Sequence, residues 1–342
     1  MTHEFRKIVE TAHRYYLNGI PCVMASVVAL DGSSYRKPGV RMLIAKDGTM
    51  TGAVSGGCVE KEIVFQAESV FKFQKAKMMT YDGRFRLGCE GILYILIEPL
   101  QITTDLYNKI NQQLKARLSI QIISKYHKSL EEDRIGLRTY INLGYGDTIP
   151  LSNSDSPLNK GDNNLLEFTQ ELSPLFQLYV FGAEHDAVQL SLICSFMGWD
   201  VIIIAPPNDP RELQDFPGAS QLLHLNPEDI TGLAIDQNSA TVLMNHNYAK
   251  DFNFLIHLLQ YSPCYIGILG SRKRRIKLLN ELISLKPEVS YEWVERIYGP
   301  AGLDIAAVTP QEIANAIISE ILVITRAHKK ACLLYTSPSP RD

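Results

Sequence analysis

Apolar positions in the first hundred residues switch between helical and strand spacing, and beyond residue 178 they form short buried runs separated by helices. Residues 4–17 carry apolar side chains three and four apart, as an amphipathic helix requires. Asn18-Gly19 then supplies the residue pair suited to a left-handed C-terminal cap. Strand-like runs follow at 22–30, 40–45 and 50–54, and Asp47-Gly48 between the last two marks a hairpin. Ser55-Gly56-Gly57-Cys58 leads into a helix over about 59–73. Further strands are predicted at 77–81 and 92–98, with Pro99 closing the unit. From about 101 to 176 the pattern weakens to one helix near 104–116 and one strand near 120–124. The polar, turn-rich stretch 152–164 reads as a linker.

From Leu178 strand and helix alternate, with strands predicted at 178–181, 201–205, 222–225, 241–244, 265–269 and 296–298. Most are short and wholly apolar, as parallel strands covered on both faces should be. A closing helix starts at Pro310, with Thr309 as its cap and Glu312 completing a capping box. Ile313, Ile317, Ile321 and Ile324 share one of its faces. The fold class is therefore α/β: a mixed α+β N-terminal domain over 1–100 and a Rossmann-type doubly wound parallel sheet over 178–328. A connecting region spans 101–177, and 329–342 reads as a disordered or artefactual tail.

Composition adds exclusions. With 46% hydrophobic residues, 21% charged residues and a net charge of -3, nothing marks a nucleic-acid or anionic-membrane binder. No apolar run is long enough to span a bilayer. The opening residues are charged and helix-like rather than leader-like. The six cysteines show no CxxC, a pattern suited to a reducing, cytoplasmic location.

The turn Gly182-Ala183-Glu184-His185-Asp186 follows the first Rossmann strand and departs from a dinucleotide fingerprint. Its first glycine is present, but Glu184 stands where backbone should approach a pyrophosphate, and its charge opposes one. The second strand ends in Ala205-Pro206-Pro207 instead of the acid that holds a ribose. NAD(P) is therefore not the expected ligand, although a nicotinamide-dependent oxidoreductase with a divergent site stays open as the alternative. In a 3-2-1-4-5 strand order, His185 and His246 face one crevice at the switch point. Gly270, Ser271 and Arg272 begin a helix and offer amides and a guanidinium to one phosphate.

In the first domain Cys58 follows Gly56 and Gly57 at a helix start, where the dipole favours a thiolate. Cys89 lies in a second glycine-flanked turn, and both thiols are candidates for sulfur chemistry or soft-metal contact. Cys22, Cys194 and Cys264 read as inert core. The loop 32–39, with Ser33 and Arg36, is rich in donors suited to an anion.

Gly32-Ser33-Ser34 with Pro38-Gly39 and Arg41, then Ser55 to Glu60, then Gly88-Cys89-Glu90-Gly91, resemble the N-terminal domain of xanthine dehydrogenase accessory (XdhC/CoxI) proteins. Phe181 to Ala187, Gly267 to Arg272, Tyr298 to Asp304 and Thr309 to Ala314 resemble that family's Rossmann domain. The resemblance covers about 4–100 and 178–328. It implies a factor that binds the molybdenum cofactor (molybdopterin), supports its sulfuration and helps insert it into an apo molybdenum hydroxylase of xanthine dehydrogenase type. A cysteine desulfurase and a second copy of the chain are further expected partners. Cys58 and Cys89 would then stand near the molybdenum or its sulfur, and Arg36, Arg41 and Arg272 near the pterin phosphate. Glu184 and Glu90 stand where that family usually has glycine, and Asn245 where threonine is common.

Overall fold

The computed structural model describes residues 1–34, 37–55, 57–83, 91–128, 136–144, 146, 148–152 and 165–331, with only the backbone of Cys58 and 327–331. Arg36, Gly56 and Cys89 lie outside the described residues, as do 153–164 of the expected linker and the tail from 332. The chain divides into two units, Met1–Pro174 and Leu175–Asp342.

In the first unit, α1 (Thr2–Leu17) ends as its sequence predicts. Gly19 takes φ +66°, its amide bonds Tyr16 O, and the Ile20 amide bonds Tyr15 O. Strands β1 (Cys22–Asp31), β2 (Arg41–Ala45) and β3 (Met50–Gly52) precede α2 (Cys58–Phe73), β4 (Lys77–Asp82) and β5 (Ile92–Leu100). They form an antiparallel sheet in the order β3-β2-β1-β5-β4. Pro99 does not end the unit but lies within β5. Strand β4 stops at Lys77 opposite Ile97, so β5 has an open edge there, where a missing N–H is tolerated.

Residues for which the pattern gave little are well structured. Helix α3 (Thr104–Lys115) leads into β6 (Ile120–Tyr126), β7 (Arg138–Asn142), β8 (Thr148–Pro150) and β9 (Leu166–Leu172), an antiparallel sheet ordered β8-β7-β6-β9. Its Ile120, Ile122, Ile141 and Leu172 share a core with Phe5, Ile8, Met24, Leu43 and Ile110. The opposite face of the first sheet is covered by α2 through Val59, Ile63, Ala67 and Val70.

The second unit comprises β10 (Gln177–Phe181), α4 (His185–Phe196), β11 (Asp200–Ala205), β12 (Gln221–His224), β13 (Ser239–Leu243) and α5 (Tyr248–His257). It continues through β14 (Tyr265–Ile268), α6 (Arg272–Leu285), α7 (Tyr291–Val294), β15 (Ile297–Tyr298) and α8 (Pro310–Ala331). Its sheet is wholly parallel, ordered β12-β11-β10-β13-β14-β15, which is the Rossmann arrangement expected from the alternation. Helices α4 and α8 cover one face, where Ile317 and Ile321 are fully buried against Leu178, Val180 and Val242. Phe254, Leu255, Leu278 and Leu282 of α5 and α6 cover the other. The capping box of α8 forms as predicted, the Glu312 carboxylate accepting from the Thr309 and Val308 amides at 2.9 and 2.8 Å.

Candidate functional site

Strands β10 and β13 are neighbours with the sheet order reversing between them, so the crevice beyond their carboxyl ends is the topological switch point. Gly182 occupies the first turn at φ +128°. The exit of β13 passes so close that a Cβ there would stand 2.9 Å from the Met244 carbonyl carbon. Only glycine suits both the dihedral and the contact. His185 opens α4 and His246 follows β13, and both are exposed.

Between these loops sits a buried polar network with no clear counterpart in the sequence pattern. The Asn245 side-chain amide donates to Phe181 O at the exit of β10 (3.1 Å) and to Asp251 Oδ1 (2.9 Å). Arg274, in the first turn of α6, donates to Asp251 Oδ2 (2.5 Å) and to Asn245 O (3.1 Å). One network thus ties together the loops after β10, β13 and β14. Asp251 is fully buried, and burial pushes its carboxyl up to about 6, against the opposing pull of Asn245 and Arg274. Asn245, read as a departure from the resembled family, is engaged in holding these loops.

The basic run at the start of α6 divides in two. Ser271 caps the helix through the Arg274 amide (3.3 Å), and Arg272 and Lys273 are exposed. Arg274 joins the network, while Arg275 donates to Ile297 O at 2.9 Å and braces the strand before Gly299. Only Arg272 and Lys273 are therefore placed to meet an anion in solution.

Glu184 is not an isolated carboxylate. Arg211, from the segment after β11, has its guanidinium 3.7 Å from Glu184 and donates to Ala183 O within the turn. Asp209 clamps Arg211 through Nε (2.7 Å) and Nη2, and this pairing holds Asp209 below the usual carboxylate range. Asp209 lies four residues past the end of β11, close to where a ribose-binding acid belongs, but its carboxylate is committed to Arg211. The sequence holds no acid at the end of this strand and gives no sign of the Asp209–Arg211 pair.

In the first unit the loop before Cys58 is organised by Glu60. Its carboxylate accepts from the Val54 amide (3.1 Å), the Ser55 amide (2.6 Å), the Ser55 hydroxyl (2.6 Å) and the Gly57 amide (2.8 Å). Burial would raise this carboxyl, but the bonds from Ser55 and Gly57 hold it below its ordinary value. A Glu three residues after a helix cap is a capping-box signal, so this role was readable in principle. Beside Gly57 there is open space where a Cβ would stand, and a bulky ligand meets no side chain of that residue at the start of α2.

Ser33 is exposed, and its carbonyl packs against Gly91, where a Cβ would stand 2.5 Å away. Ser33 and Gly91 are therefore adjacent. Arg41 is 6% exposed and turned inward between the two sheets. Cys22, Cys194 and Cys264 match the inert-core expectation, with burial pushing the thiols of Cys22 and Cys264 up to about 12 and 11 and that of Cys194 well up. Among the described residues no group of three or more His, Cys, Asp or Glu could hold a metal ion. No helix among them is long and apolar enough to cross a membrane.

Comparison with known proteins matches both units. Residues 17–82 fit the model described as the XdhC and CoxI family, and residues 178–321 fit that of the XdhC Rossmann domain. The chain is 29% identical over 317 residues to a probable xanthine dehydrogenase subunit of Bacillus subtilis (strain 168), covering 88% of this chain and 92% of that protein. It is 22% identical over 340 residues to the molybdenum cofactor insertion chaperone PaoD of Escherichia coli (strain K12), covering 97% and 93%. A crystal structure described as that of a xanthine dehydrogenase from Bacillus halodurans aligns with a TM-score of 0.75 at 28% identity, over 97% of this chain and 98% of that one.

Proposed function

Because the chain belongs to the XdhC and CoxI family, we propose that it is an accessory factor that carries the molybdenum cofactor to an apo-hydroxylase of xanthine dehydrogenase type. The observation that supports this most is the similarity to the insertion chaperone PaoD, which runs through both units over nearly the full length of each chain. The cofactor is cargo here, and its molybdenum chemistry is supplied to the recipient enzyme.

The residues fit such cargo in two places. Exposed Arg272 and Lys273, with the amides at the start of α6, suit a pterin phosphate. The open side of Gly57, beside the first residue of α2, suits the approach of a planar ring system to Cys58. Cys58 and Cys89 are the thiols we assign to the molybdenum end, and sulfuration would need a persulfide donor such as a cysteine desulfurase. In the second unit we assign exposed His185, His246, Gly270 and Ser271 to the cargo as well, with Gly182 as the buried glycine that shapes the first turn.

Protein purified from a molybdopterin-producing host should carry a pterin that fluoresces after acid oxidation. The Cys58→Ala variant should retain less than half as much at equal folded yield. A complete lack of pterin in the wild-type protein from such a host would remove the proposal's main support.

A nicotinamide-dependent oxidoreductase is the second reading, favoured by the strand order and by Gly182. Glu184 and the Arg211–Asp209 clamp oppose it, since together they place two carboxylates and only one guanidinium beside the helix start. Titration of NADH or NADPH fluorescence should show no saturation up to ~1 mM. Glu184→Gly alone should not restore tight binding, because Arg211 and Asp209 still occupy the turn. Micromolar affinity in the wild-type protein would reverse this ranking.

A further inference from the structure

The register of the first sheet sets Ser26 of β1 directly opposite Arg41 of β2, and Met24 opposite Glu98 of β5. Ser26, Arg41 and Glu98 therefore share one face, between the two sheets of the first unit, where all three are at least nine-tenths buried. The Arg41 Nη1 donates to Gly39 O (2.9 Å) and to the Gln170 side-chain oxygen. Its Nε and Nη2 are buried without an acceptor among the described residues, and so is the Ser26 hydroxyl.

No carboxylate comes within ion-pair distance of Arg41 among the described residues. Glu98 is the nearest candidate, but the Thr139 amide (2.8 Å) and hydroxyl occupy its two oxygens. Burial pushes Glu98 up to about 7 and lowers Arg41 to about 10, in each case against the attraction between the two groups. A guanidinium in that condition is costly unless something accepts from its free nitrogens. Those two nitrogens form the side-on fork that guanidinium groups present to anions.

We propose that Arg41 Nε and Nη2, with the Ser26 hydroxyl as third donor, hold a small inorganic anion of chloride size between the two sheets of the first unit. A water could satisfy part of the hydrogen bonding but brings no charge to the free side of a guanidinium whose opposing carboxylate, Glu98, is bonded to Thr139. The site is separate from the cargo surface proposed above and does not depend on that reading. It lies at the root of the 32–39 loop, since Arg41 also fixes Gly39 to Gln170 of β9. Anion binding would brace this loop against the second sheet.

Crystals of the full chain grown with bromide in place of chloride should show an anomalous peak within hydrogen-bond distance of Arg41 Nε and Nη2. In solution, replacing gluconate by chloride or bromide at fixed ionic strength should raise the Tm by ~3 °C. Ser26→Ala should reduce that shift and Arg41→Met should abolish it. If Arg41→Met fails to fold, the Ser26→Ala comparison decides. Water alone at the fork, or a Tm indifferent to anion identity, overturns the proposal. A bromide peak without any Tm response marks an adventitious ion only and overturns it too.

Discussion

Replacing Asp251 with alanine is expected to destabilise the protein by about 3 kcal/mol, the low end for breaking a buried ion pair because Arg274 keeps some contact with water. The carboxylate accepts from Arg274 at 2.5 Å and from the Asn245 amides at 2.9 and 3.2 Å. As a pair, Asp251 and Arg274 contribute little, since burying both charges offsets their attraction. The loss comes from what remains: a guanidinium and an Asn245 amide left unpaired where three loops meet. Urea denaturation should therefore show Asp251→Ala with Arg274→Met to be less destabilised than the sum of the single changes, by at least ~1 kcal/mol.

The pH dependence carries a definite sign. Asp251 titrates at about 6 in the folded chain and near ~4 when unfolded, so ionising it costs more in the native state. Its contribution to stability is full below the unfolded value and declines as pH rises through about 6. Asp251→Asn should flatten that part of the stability profile. An unchanged slope between pH 4 and 6 in the variant would show that burial of Asp251 is not its source. If the network positions the cargo loops, the alanine variant should also lose pterin under conditions where it stays folded.

Glu60→Ala should have a comparable effect, about 2–3 kcal/mol, because it removes one charged acceptor from four hydrogen bonds at the start of α2. The freed Val54 amide has no water to turn to, as Val54 is fully buried. Glutamine keeps one carbonyl acceptor and should recover part of the loss. The affected segment is the one that delivers Cys58 to the helix start, so faster hydrogen exchange should be confined to about 53–60. Pterin retention should fall with it, in the order wild type, Glu60→Gln, Glu60→Ala. Uniform acceleration across both units would instead mean that Glu60 merely supports global stability.

Much of this architecture was legible in the sequence because its signals are local. The apolar runs of β10, β11, β13 and β14 need no distant partner to be recognised, since burial on both faces leaves no room for polar residues. Asn18-Gly19, Asp47-Gly48 and Thr309 with Glu312 fix their own backbone geometry within a few residues. The sheet of 120–172 was mostly missed because β8 has three residues and β9 is a largely exposed edge strand whose side chains give no clean alternation.

Local pattern alone was enough for most elements before residue 100, for the strand–helix alternation of the second unit and for its polar strand ends. What each charge does emerges only in the folded chain. Arg41, Arg272 and Arg274 look alike in the sequence, yet one is sealed between sheets, one is exposed, and one locks three loops together. Glu184 likewise has Arg211 as a neighbour from 27 residues away. Backbone conformation is set by neighbours along the chain. The partner, burial and availability of a charged side chain are set by residues that only folding brings near.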